Sequence, residues 1–238
     1  MPTAAEELYE RWLASGARSV IVVGTAKNVG KTTTVAALLE IAETRKVSIG
    51  LTSIGRDGEA FDAVDDKPKP RIFVEAGTVI AAGRALLPHA RTIEVLDERE
   101  RSALGPIVFY RSKIPQYVEI SGPPTARAMR AVIDRLIDLG VDRVIVDGAI
   151  DRIAVVGTGN DPVIVATGIA LAPTVPEAAR ATRGFIERGD LNATRILACT
   201  TCPVGEDRSV DAQMLLEGVA AATGLPTFDV QADLQWIH

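Results

Sequence analysis

Residues 20–40 read VIVVGTAKNVGKTTTVAALLE, and this stretch decides the fold. Val20 to Val23 form a short apolar, β-branched run, the pattern of a strand buried on both faces. From about Lys31 the apolar residues recur at helical spacing. Between the two lies a tight turn bounded by Gly24 and Gly30. A strand that ends in such a turn and feeds a helix aims successive backbone N–H groups and the positive helix end at one point, where an anion fits. The predicted phosphate loop is therefore Gly24, Thr25, Ala26, Lys27, Asn28, Val29, Gly30, Lys31, Thr32 and Thr33. Gly30 lets the backbone approach a phosphate, Lys31 supplies positive charge toward the β- and γ-phosphates, and the Thr32 hydroxyl is placed for Mg2+. The usual spacing is G-x4-G-K-[ST]. Here five residues separate Gly24 from Gly30, and Thr25 stands at the usual first glycine.

Outward from this stretch, apolar β-branched runs keep alternating with helix-period runs. SVIVV, KVSIGL, PRIFVE, GTVIAAGRALL, RTIEVL, PIVFY, QYVEIS, DRVIVD, DPVIVAT, TRILACT and TFDV read as strands. Helices are expected from about Thr125 to Leu139, through VPEAARATRGFIER and through DAQMLLEGVAAATG. Repeated βα alternation predicts an α/β fold with a largely parallel sheet covered by helices on both faces. The expected organisation is one nucleotide-binding domain over residues 1–238. It opens with a helix at about 3–16, whose Leu8, Trp12 and Leu13 share a face. The polar run GRDGEAFDAVDDKPKPR, from Gly55 to Arg71, is expected to be a long surface loop of the kind that carries function.

Hydrophobic residues make up 47% of the 238 and charged residues 24%, which excludes disordered and membrane compositions. A formal charge of -5 without a basic cluster argues against nucleic acid as a partner. No apolar run approaches a membrane span, the start lacks a signal-peptide pattern, and two cysteines make no disulfide framework. The expected location is the cytoplasm.

A phosphate loop needs a carboxylate on a neighbouring strand to hold Mg2+ through water. Asp147, at the end of DRVIVD and followed by Gly148, is the first candidate, and Glu119 in YVEISGPPTARA competes with it. Asp57 follows the second strand of the repeat and is a candidate switch aspartate near the γ-phosphate and metal, with Glu59 behind it. Asp151 and Arg152 are placed to orient a partner segment, to cap the next helix or to form a surface ion pair. Cys199 and Cys202 have C-x2-C spacing, but one pair offers two ligands where a closed tetrahedral site needs four, so packing is the expected role. Thr200 and Thr201 lie in the same segment, at a strand end where a nucleotide base could sit. His89 and His238 lack metal-ligand spacing, and Lys67 and Lys69 suit a solvated loop.

Lys27, inside the loop and four residues before Lys31, resembles the second lysine of the dimeric P-loop proteins that include the ParA/MinD-like ATPases, the nitrogenase iron protein and dethiobiotin synthetase. The spacing GTAKNVGKT is similar to the dethiobiotin synthetase pattern G-T-x-T-x-V-G-K-T, with Lys27 where that pattern has threonine. Taken with GLTSIGRDGE, KPRIFVEAGT, ISGPPTARA, VDGAIDRIA and VATGIALAPT, the loop resembles the KamB-type reactivase subunit encoded beside cobalamin- and PLP-dependent aminomutases. That resemblance implies an ATP-hydrolysing molecular switch with ATP and Mg2+ as cofactors, which renews an inactivated aminomutase. Its partners would be that enzyme or a second copy in a homodimer. It carries phosphate binding to Lys31 and Thr32 and a metal-side carboxylate to Asp147, while the likeness of Lys27 to the second lysine of the dimeric P-loop proteins implies a reach toward phosphate. The competing expectation is an ATP-dependent synthetase of the dethiobiotin or cobyrinate-amidating type, which phosphorylates a carboxylate or carbamate before attack by an amine or carbon. A third is a nucleotide sensor that does not hydrolyse.

Overall fold

The computed structural model describes residues 1–54, 71–102, 104–148, 161–188, 196–205 and 207–232. The expected loop aspartate Asp57 lies outside them, as do Glu59, Lys67, Lys69, Asp151, Arg152 and His238. In chain order the elements begin with α1 (Ala4–Ala14), β1 (Ser19–Gly24), α2 (Lys31–Thr44) and β2 (Ile49–Ser53). Next come β3 (Ile72–Val74), β4 (Val79–Gly83), β5 (Ile93–Ser102), β6 (Gly105–Ser112) and β7 (Gln116–Val118). The remainder are α3 (Ala126–Asp138), β8 (Arg143–Asp147), β9 (Val163–Gly168), α4 (Val175–Arg188), β10 (Ile196–Cys202), α5 (Ala212–Thr223) and β11 (Thr227–Phe228). The chain divides into two compact units, Met1–Ile41 with Ile150–His238, and Ala42–Ala149.

In the first unit β11, β10, β9 and β1 lie side by side in that order, every pair parallel. Every residue of β1 and of β9 is buried, as the unbroken Val/Ile runs require of strands covered on both sides. The strand register places helices on both faces. Thr167 of β9 bonds Thr182 of α4, and Cys199, which shares that face through the Val165↔Cys199 register, bonds Thr223 of α5. Thr200 points the other way and bonds Thr34 of α2. Phe228, level with Thr200, lies beneath the Arg11 guanidinium of α1. Thus α1 and α2 cover one face, α4 and α5 the other.

Local signals start and stop these helices. Thr3 and Glu6 form a reciprocal capping box before α1, and Ala5, Leu8, Tyr9 and Trp12 bury one stripe. The stripe includes the expected Leu8 and Trp12, whereas Leu13 is only half-buried. Asp211 caps α5 by accepting from the Met214 N–H, and Gly224 ends it in the left-handed conformation that a residue without Cβ adopts most readily.

In the second unit β8, β2 and β4 are parallel, with Ser53 level with Asp147. The strands run largely parallel, as expected, while β6 joins β4 antiparallel and β5 joins β6 antiparallel. Only two residues connect Ser102 to Gly105, and so short a link can only reverse the chain, since a parallel crossover needs a dozen or more. The charged run DERERS, which extends β5 past the expected RTIEVL, suits a strand with one free edge. Asp97 there takes both Arg135 and Arg99. PRIFVE and QYVEIS contribute β3 and β7, an antiparallel pair in a separate two-stranded sheet, where Phe73 meets Tyr117 edge to face. Thr125 caps α3 through the Ala128 N–H, and Met129, Val132, Ile133 and Leu136 form its buried stripe.

Candidate functional site

The loop of residues 24–33 is a strand–turn–helix, and its two glycines differ in what a side chain would meet. Gly24 ends β1; a Cβ there would sit 3.3 Å from both the Ala26 carbonyl oxygen and the Val29 Cγ2. Gly30 has φ +83, and a Cβ on it would meet the Cβ of Cys202 at 3.0 Å. Asn28 also takes a left-handed φ of 58, which asparagine tolerates better than most residues. Val29 is buried and pins the middle of the turn, while Ala26 is half-buried and Lys27 and Asn28 are exposed. Thr25 continues the β1–β9 ladder by one bond, its N–H donating to the Ala166 carbonyl at 2.9 Å. Lys31, Thr32 and Thr33 form the first turn of α2, each half-buried. In that turn the backbone N–H groups have no intrahelical acceptor, so the loop and helix start together offer several donors and a lysine to an anion.

Asp147 is the last residue of β8, half-buried, with its Oδ1 shielded from solvent. Its carbonyl accepts from the Ile54 N–H at 3.1 Å, which aligns it with the carboxyl end of β2. The Ser121–Gly122 segment closes over that end: the Ser121 carbonyl accepts from Gly83, and a Cβ on Gly122 would lie 1.8 Å from the Ser53 carbonyl oxygen. Glu119 is placed differently from Asp147. It follows β7 in the small antiparallel sheet and bonds Arg71 at 3.1 Å, which gives it a structural partner. A hollow of about 540 Å³ between Arg99, Arg101, Pro106 and the start of α3 contains none of the predicted site residues.

Among the described residues no group of three or more His, Cys, Asp or Glu gathers to hold a metal. A Mg2+ bound chiefly by phosphate oxygens, water and one or two protein groups needs no such cluster. Cys199 and Cys202 are both free and buried, and three residues apart on a strand they project to opposite faces, so they neither share a metal nor face one another. Burial pushes the Cys199 thiol up to about 12 and raises Cys202 as well, the reverse of a reactive thiolate. The Cys202 Sγ donates to the Val204 carbonyl at 3.3 Å. His89 accepts from the Arg91 N–H and caps a short 3-10 turn.

Thr34, Thr167 and Thr182, buried hydroxyls bonded to the loop or to each other, were not singled out by the sequence, and Thr200 bonds Thr34. The available signal was a threonine late in an otherwise apolar strand, as in VIVATG and ILACTTC.

No family model and no curated protein matches the chain. Among solved structures, the MinC:MinD cell division protein complex of Aquifex aeolicus is similar over 89% of this chain and 79% of that chain, with a TM-score of 0.44 and 11% identity. No helix among the described residues is long and apolar enough to cross a membrane.

Proposed function

We propose that the chain is one nucleotide-binding domain over residues 1–238 that binds Mg-ATP at residues 24–33 and works as an ATP-hydrolysing molecular switch. The Gly24–Gly30 cradle supports this reading: Gly24 is crowded by the loop's own atoms and Gly30 takes a left-handed backbone, both set before Lys31 and Thr32 in the first turn of α2. Bound ATP and Mg2+ would supply the phosphoanhydride and a metal that shields its charge. The chain's own residues then bind and orient. Loop N–H groups would hold the phosphates, Lys31 would place positive charge beside the transferred group, and Thr32 and Asp147 would hold the metal, Asp147 through water. Asp57 is the proposed switch aspartate. Lys27, exposed on the loop, is proposed to reach phosphate in its own or a second subunit.

The proposed partner is a cobalamin-dependent aminomutase that the switch reactivates, in the cytoplasm. Phosphate release from ATP with Mg2+, measured with and without such an aminomutase, tests this. Stimulation supports the switch. Turnover only with a small carboxylic acid or amine, leaving a phosphorylated intermediate or a new amide, replaces it with the synthetase. Lys31→Ala is expected to abolish ATP binding, and unchanged affinity in an equilibrium titration would remove residues 24–33 from the site.

A further inference from the structure

Two chains of buried threonine hydroxyls end on the phosphate loop, one from each face of the sheet. On the α4 side the Thr25 hydroxyl donates to Thr167 Oγ1 at 3.1 Å, Thr167 and Thr182 are 2.7 Å apart, and Thr182 donates to the Ala178 carbonyl at 2.8 Å. On the α2 side Thr34 donates to the Gly30 carbonyl at 3.0 Å and lies 2.7 Å from Thr200 Oγ1. Each hydroxyl carries one proton, so the directions are set. Thr182 spends its proton on Ala178, hence Thr167 donates to Thr182. Thr34 spends its proton on Gly30, hence Thr200 donates to Thr34. All five side chains are buried, Thr34, Thr167 and Thr182 completely. A hydroxyl left unmatched there loses its water without gaining a partner, so each chain holds its members in one arrangement.

The geometry points to Thr167 and Thr200 as positioning residues that fix the two ends of the phosphate loop from the neighbouring strands β9 and β10. At the far end the mechanism is a peptide plane. The Gly30 carbonyl is held by both the N–H and the hydroxyl of Thr34. In a trans peptide the following N–H points opposite to the carbonyl, so this grip orients the Lys31 N–H away from the helix, toward the loop's concave side. Thr200 holds Thr34 in the rotamer that does this. At the near end Thr167 and the Ala166 carbonyl grip the side chain and the N–H of Thr25, so the chain leaves β1 in one direction. The inference rests on the reading of residues 24–33 as a phosphate loop.

The test uses the full chain with Thr167→Val, Thr200→Val, Thr167→Ser and Thr200→Ser. Valine keeps the shape and removes the hydroxyl; serine keeps the hydroxyl and removes the methyl. Affinity for a fluorescent ATP analogue with Mg2+ is expected to fall about tenfold or more in Thr167→Val, which strands both Thr25 and Thr182, and by less in Thr200→Val, which strands only a lone pair on Thr34. The serine variants are expected to bind as wild type does. Hydrogen exchange of the amides of residues 25–34, measured without nucleotide, is expected to quicken in the valine variants and return in the serine ones. Wild-type affinity and exchange in both valine variants would overturn the assignment, as would serine variants as impaired as valine ones. Should wild type bind no nucleotide, the nucleotide reading fails while exchange still decides the anchoring. Thr167→Ala and Thr200→Ala replace any valine variant that does not fold.

Discussion

At the scale of single residues, absent or buried atoms decide the most. Gly122 has no Cβ because one would overlap the Ser53 carbonyl oxygen at the carboxyl end of β2. Gly122→Ala must push Ser121–Gly122 off that strand, at a cost of about 1–3 kcal/mol or more, read as a lower urea midpoint. Cys199 gives a pH dependence. Burial raises its folded pKa to about 12, so its contribution to stability is complete below the ordinary thiol range and is lost as pH rises through that range toward 12. The buried Tyr110 phenol, also raised, acts in the same direction at still higher pH. Stability is expected to fall from about pH 9 upward, and Cys199→Ala to show a shallower fall between pH 8 and 10.5. Parallel profiles would assign the alkaline loss elsewhere.

At the scale of elements, α1 shows a helix whose stability comes from docking. Eleven residues are too few to hold a helix in water alone, and its buried stripe of Ala5, Leu8, Tyr9 and Trp12 supplies the rest. Trp12 is fully buried and in edge-to-face contact with Tyr9. Trp12→Ala is expected to cost about 3–5 kcal/mol by chemical denaturation, and a change below 1 kcal/mol would mean that α1 docks weakly. This helix was legible from its apolar spacing. The β3–β7 pair was legible only as two short strands, because a three-residue run carries no record of its partner. The antiparallel β5–β6 hairpin was obscured by DERERS, whose charges suit an edge strand yet contradict the apolar signal of a buried one.

At the scale of the whole molecule, ligand binding is expected to appear as stability. A ligand that binds only the folded state stabilises it by RT ln(1 + [L]/Kd), about 2.7 kcal/mol at a hundredfold excess over Kd. ATP with Mg2+ should therefore raise the melting temperature by several degrees, and Lys31→Ala should remove the shift. The proposed homodimer is expected to form on nucleotide addition. Light scattering that gives a strictly monomeric particle with ATP and Mg2+ present would argue for a partner protein alone.

The sequence by itself determined the α/β alternation and the strand–turn–helix proposed to hold phosphate, because both are written in contiguous residues: a β-branched run, two glycines, Lys31, Thr32 and a helical stripe. It also placed Asp147 at a strand end. Only the tertiary structure decided what grips the loop. Thr25 and Thr167 are 142 residues apart, and Thr34 and Thr200 are 166 apart. They meet because parallel register brings the ends of β1, β9 and β10 level, and register depends on the packing of both faces, which no local pattern records. The same register sends Cys199 and Cys202 to opposite faces and sets Cys202 against Gly30, where the lack of a Cβ makes room for it.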